Sequence, residues 1–518
     1  MDKICIIDMG SQYTHLIARR IRKLGVYSEI LSNNTSIEEL KKIEPNGIIL
    51  SGGPSSVYEE NSPQLTKDFF QHIITENIPV LGICYGLHLI IHQLGGKIKP
   101  FVHKEYGKTE LEIIKPGKLL ESLDQREIVW MSHGDQIENM PKGFKILART
   151  NTCPIAAYAN EEFGLYGVQF HPEVNHTPKG MMILENFISK IVQAKKQWKL
   201  ENWIEKAIEN IKREIGKDRV ILGLSGGVDS SVVAVLLQKA IGNRLHSVFV
   251  NNGVLRKNEE VEVQDTFQQV LKFENFHYVD AEDLFLERLK NIEDPEEKRR
   301  IIGHTFIEVF ESKTIELEKT HPNIKYLAQG TIYPDRVETS ATSSVSAKIK
   351  SHHNLTLPDD MTLKVIEPLK DLYKDEVRKI GLQLGLPENI IKRHPFPGPG
   401  LAVRIIGPIE KDKLSILRDA DEILIDEIKK AGVYDNIWQA FCVFLPLKTV
   451  GIMGDFRTYE YICAIRVVES LDVMTANFAK LDWELLEKIG TRIINEVKGI
   501  NRVVYDISNK PPSTIEYE

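Results

Sequence analysis

Gly82-Ile83-Cys84-Tyr85-Gly86 places a cysteine between two glycines, after the apolar run IPVL and before the helical run LHLIIHQLGG. This is the layout of a nucleophile elbow with Cys in place of Ser. The glycines allow a sharp turn with close backbone packing. The turn sets the side chain at a helix N-terminus, where free N–H groups and the helix dipole favour negative charge on sulfur. A thiolate that attacks an amide needs a base and donors for the oxyanion. His171-Pro172-Glu173 follows the strand-like YGVQF. Residues two apart on an extended segment point the same way, so His171 can move the proton while Glu173 orients its ring. A second glycine turn, Ser51-Gly52-Gly53-Pro54, completes the set, with the backbone N–H groups of Gly53 and Tyr85 as oxyanion donors. A lone cysteine would read as a buried structural residue and a lone histidine as a satisfied loop side chain. Here three pieces occur together and in order, which favours catalysis.

A second constellation is Ser225-Gly226-Gly227-Val228-Asp229-Ser230-Ser231, between the strand-like RVILGLS and a helical run. Small residues let backbone N–H groups close around phosphate oxygens, and the helix N-terminus favours their charge. The loop lacks the lysine of a Walker A motif. Asp229 is its one charged group and suits Mg²⁺, which binds a carboxylate or two plus phosphate oxygens. Without a ligand this would be an ordinary Gly/Ser-rich turn.

These residues need strands and helices to hold them. Short apolar runs alternate with amphipathic ones over the first ~200 residues, the pattern of an α/β domain. Strands are predicted at 3–10, 46–54, 78–86 and 164–173, and a helix over 15–25 closed by Gly25. The charged stretch 187–217 reads as helical, with a first boundary near residue 198. A second α/β unit follows, with strands at 219–225 and 244–253, a helix over 230–242, and two further strands in NFHYVDAED and KYLAQGTIYPD. Such alternation implies a parallel sheet. The break RHPFPGPG (393–400) marks a second boundary. The expected organisation is therefore 1–198, 199–393 and 394–518: two doubly wound α/β domains, then a smaller α+β region.

A chain of 518 residues exceeds what one core usually supports. The net charge of −7 argues against general nucleic-acid binding. No run reaches the ~20 apolar residues of a membrane span, and the first residues do not read as a signal peptide. Five cysteines, far apart and without a CxxC pair, fit a reducing cytoplasm better than a disulfide framework or zinc site.

The elbow, HPE triplet and SGGP turn resemble class I glutamine amidotransferases. There the cysteine attacks the glutamine carboxamide, releases ammonia and leaves a glutamyl thioester. That family usually carries Gln four residues after the cysteine, where this chain has His88. SGGVDSS resembles the loop of ATP pyrophosphatases, which cut ATP between the α and β phosphates to activate a carbonyl oxygen as an adenylate. Three further segments resemble GMP synthetases: Lys350-Ser351-His352-His353-Asn354, His394-Pro395-Phe396-Pro397-Gly398-Pro399-Gly400-Leu401 with Arg404, and the stretch from Ile494 through Lys510-Pro511-Pro512 to Thr514-Ile515-Glu516. That family commonly has Asp where Asn251 stands. The resemblance covers about residues 3–518. It implies glutamine, ATP with Mg²⁺, and XMP as ligands, and no organic cofactor. It implies acceptor contacts from Arg299, Asp455, Lys510, Ile515 and Glu516, a role for His352 and His353, and a homodimer built on the C-terminal region. Two rival readings are an RNA-modifying pyrophosphatase, opposed by the acidic charge, and an inactive glutamine sensor, favoured only by His88 and Asn251.

Overall fold

The computed structural model describes residues 1–341, 363–453, 456–470 and 475–518. Lys350–Asn354, with His352 and His353, and Asp455 lie outside the described residues. The chain forms two compact units, Met1–Lys199 and Leu200–Glu518.

The first unit is built on a nine-stranded sheet among the described residues. Five parallel strands lie in the order Tyr27–Ser32, Lys3–Asp8, Gly47–Leu50, Val80–Ile83 and Leu165–Val168. GIIL, VLGI and LYGV are buried at every position, as expected of strands covered on both faces. An antiparallel extension continues through Ala157–Asn160, Lys145–Arg149, Lys97–Ile113 and Arg126–Asn139. The register matters for the site. Gly82 pairs with Gly167 and Ile83 with Val168, and the Cys84 N–H donates to the Val168 carbonyl at 2.8 Å. The residue after one strand is thereby held beside the residues after the other.

The helix expected through 187–217 is interrupted. Phe187–Val192 forms a π-helical turn, Gln193 adopts φ 57°, and the Ala194 N–H turns back to the Ile188 carbonyl at 3.0 Å. A left-handed residue ends a helix because the next N–H can no longer reach the i−4 carbonyl. The helix restarts over Leu200–Ile215, at the division between the units.

The second unit carries a parallel sheet in the order Phe276–Asp280, Leu245–Asn251, Arg219–Leu224, Ile324–Ala328 and Lys364–Ile366. A second sheet pairs Gln439–Met453 with Phe456–Glu469 antiparallel, and Ile500–Tyr505 runs parallel to the latter. One apolar core runs from Ile221, Val248 and Phe310 through Leu401, Leu417 and Leu424 to Cys442, Ile465 and Ile500. It therefore draws on segments from both sides of the RHPFPGPG break.

Candidate active sites

Cys84 sits between the strand Val80–Ile83 and the helix Tyr85–Gln93, with φ 51° and ψ −102°. For a residue with a Cβ this backbone is strained by about 1–3 kcal/mol, as functional turns often are. Neither flanking glycine admits a side chain. A Cβ on Gly86 would meet the Leu50 carbonyl oxygen at 2.5 Å, and one on Gly82 would meet the Gly86 carbonyl at 2.5 Å.

The sulfur lies 3.6 Å from the Ser132 carbonyl and 3.7 Å from Gln169 Nε2, which donates to it. His171 Nδ1 bonds Glu173 Oε1 at 2.7 Å, and the Glu173 side chain has no exposed surface. Burial opposes charge on the His171 ring, yet the Glu173 carboxylate and the Cys84 sulfur hold its pKa well above the ordinary value. The ring is braced by Thr177 Oγ1 on its own carbonyl at 2.7 Å and by the edge of Tyr13 at 5.2 Å. The SGGP turn closes the group. A Cβ on Gly52 would touch His171 Cε1 at 3.1 Å and Cys84 Cβ at 3.8 Å, and the Gly86 N–H donates to the Ser51 carbonyl. Cys84, His171, Glu173, Gly53 and Tyr85 therefore share one small region.

His88 is buried on the same helix, and its Nε2 has no hydrogen-bond partner. Burial first, and His133 second, lower its pKa to about 4, so the ring is neutral at pH 7. Gln169 was not among the residues picked from sequence. Its signal was available, since it lies two residues before His171 on an extended segment.

In the second unit, the loop after Arg219–Leu224 leads into the helix Val228–Ile241 with Gly227 as its N-cap. Ser225 Oγ and Ser230 Oγ are 2.9 Å apart, and Ser231 Oγ donates to the Gly227 carbonyl at 2.7 Å. Gly226 has φ 73°, and a Cβ there would meet Val263 at 2.8 Å. Two cations reach this loop from far along the chain. Lys374 Nζ donates to Asp229 Oδ2 at 2.5 Å, and Arg393 Nη1 donates to the Gly226 carbonyl at 3.3 Å. Asp229 Oδ1 is buried without a hydrogen-bond partner. Asn251 ends the neighbouring strand, donates to Asp280 Oδ1 at 3.1 Å and accepts from the Gly253 N–H. An aspartate there would face Asp280 with like charge.

Of the expected acceptor contacts, Arg299 donates to the Glu518 main-chain oxygen at 2.6 Å and pairs with Glu296. Ile515 is buried against Phe441, Val443 and Val468. Glu516 takes both forks of Arg404, at 3.1 and 2.9 Å, and accepts from Gln439. Lys510 forms a backbone bridge with Ala476. The stretch leading into this segment, Ile500–Tyr505, is a strand.

A cysteine elbow with its His–Glu pair in one unit and a phosphate-type loop in the other describe an amidotransferase joined to an ATP-using synthetase. The class I glutamine amidotransferase model matches residues 5–191, the NAD synthase model 199–299, and the GMP synthase C-terminal domain model 426–517. Over its whole length the chain is 51% identical to the GMP synthase [glutamine-hydrolyzing] of Brachyspira hyodysenteriae, covering 99% of it. It is 53% identical to that of Thermosipho melanesiensis, with all of both chains covered, and 51% to that of Vibrio parahaemolyticus, with 98% of the relative covered. The chain belongs to the glutamine-hydrolysing GMP synthases. Its reaction is the ATP-dependent amination of XMP to GMP with nitrogen from glutamine.

Proposed function

We propose a residue-level division of labour for XMP + ATP + glutamine + water giving GMP, AMP, pyrophosphate and glutamate. Cys84 attacks the glutamine carboxamide, His171 takes the thiol proton and delivers it to departing ammonia, and Glu173 stabilises the imidazolium. The N–H groups of Gly53 and Tyr85 meet the oxyanion. Water then hydrolyses the thioester with His171 as base. In residues 199–393, Ser225 through Ser231 hold the ATP phosphates, and Lys374 adds a cation beside them. The orphaned Asp229 Oδ1 fits a ligand oxygen for Mg²⁺, which would neutralise phosphate charge when bound. Arg299, Lys510, Ile515 and Glu516 face the acceptor, and the resemblance adds Asp455. Residues 394–518 join two copies. Leu447, Val450, Ile452, Phe456 and Tyr459 lie exposed along two paired strands and support that homodimer. Sedimentation as a monomer at micromolar concentration would remove it.

Five free, buried cysteines support a reducing cytoplasmic setting. No described helix is long and apolar enough to cross a membrane. The observation that carries the reading is common to both units. Each puts its reactive turn at the C-terminal end of a parallel strand where a helix begins, the usual ligand position in α/β sheets. Asp229→Ala tests the second turn. Pyrophosphate release should fall by more than about 10²-fold with glutamine or ammonium alike, since transition-state charge stabilisation is of that size. Wild-type release would refute the assignment.

A further inference from the structure

Lys298 has no exposed side-chain surface. Its ammonium offers three donors, and three acceptors meet it: the carbonyls of Ala402 at 3.3 Å and Ile405 at 2.8 Å, and Glu518 Oε2 at 2.5 Å. A buried ammonium is tolerated only with such pairing, and the carboxylate is the partner that compensates its charge. Glu518 makes two other contacts. Its main-chain oxygen accepts from Arg299, the next residue on the helix Pro295–Thr320, and Oε1 accepts from the Gly407 N–H at 3.4 Å. Two residues earlier, Glu516 is gripped by the fully buried Arg404. Residues 516–518 thus tie the start of one helix, the 400–407 turn and Gln439 at the head of a strand.

We propose that Glu518, through Lys298, is a positioning residue for the acceptor. It fixes the closing segment against the helix so that Arg299 and Glu516 are already in place when the acceptor nucleotide arrives. This rests on the proposed acceptor roles of those two residues. Glu518 itself touches no reacting atom. Replacing its carboxylate by an amide keeps the shape and removes the charge that compensates Lys298. The segment then loosens, and the acceptor must bear the ordering that the ion pair now supplies.

The test is Glu518→Gln in the full chain. The KM for XMP should rise about tenfold, while the KM for ATP, glutaminase activity and kcat at saturating XMP stay within about twofold. Without substrate, amides of residues 506–518 should exchange about tenfold faster. Glu518→Asp, which keeps the charge on a shorter arm, should recover part of the XMP KM. A wild-type XMP KM alongside faster exchange would make the pair merely structural and overturn the proposal, as would unchanged exchange. If the single variant folds poorly, Lys298→Met with Glu518→Gln removes both charges, and a wild-type XMP KM in that pair overturns the proposal equally. Arg299→Ala in the same assay separates the two levels. A raised KM there with none in Glu518→Gln sinks this inference alone, and a raised KM in neither sinks the acceptor reading.

Discussion

Glu173 is fully buried, one oxygen on His171 and the other without a hydrogen-bond partner. Its charge is what raises the imidazole's affinity for a proton against the opposing effect of burial. Glu173→Gln keeps an acceptor for Nδ1 and deletes that charge. Glutaminase kcat should fall roughly 10²–10⁴-fold, the range expected when general acid–base catalysis is lost. GMP formation from ammonium should stay within about twofold. A glutamate-release assay checks this, and a loss under about threefold would show that Glu173 only packs. That Cys84, His171 and Glu173 lie together was legible because His171 and Glu173 share one tripeptide and Cys84 sits in a glycine-bracketed turn. Lys374 was not legible, because it meets Asp229 across 145 residues and no spacing rule reaches that far. Asn251 reads as a departure in sequence and as a fitted amide beside Asp280 in space.

Parallel strands put their reactive turns at one edge and leave the other edge for something else. In the second unit that other edge gathers histidines. His246 Nδ1 lies 3.1 Å from His277 Nε2, the His321 ring is 4.7 Å from His246, and Arg219 contacts His246 at 3.2 Å. Burial first, then the neighbouring charges, lower His246 to about 4 and move His277 down as well. A depressed folded-state pKa means that the folded form binds fewer protons than the unfolded chain. The stability is fully present above the unfolded value of about 6.5 and is lost as pH falls toward about 4. Resistance of this unit to urea should therefore weaken from pH 7 to pH 5. His246→Asn should flatten that dependence by up to about one proton, and an unchanged slope would contradict it. The strands that carry chemistry were readable as apolar runs beside glycines. The long pair Lys97–Ile113 and Arg126–Asn139 was not, since alternating charged residues on a half-exposed ribbon carry little apolar signal. The break at Gln193 was missed for a related reason, because a left-handed glutamine has no composition cue.

At the scale of the molecule, sequence periodicity placed two α/β patterns in order, and both sheets are present. It could not foresee that one core spans residues 221–500, because core membership is a matter of contacts between distant segments. The proposed division of labour assigns glutamine hydrolysis to Met1–Lys199 and acceptor activation to Leu200–Glu518. Cys84→Ala tests it most directly, with GMP formation followed first with glutamine and then with ammonium. Alanine retains the elbow's backbone and removes only the sulfur, so folding should be unaffected. The glutamine-driven rate should fall by more than about 10³-fold, as loss of a nucleophile requires, while the ammonium-driven rate stays within about twofold of wild type. Equal loss of both rates in a variant with native circular dichroism would contradict it.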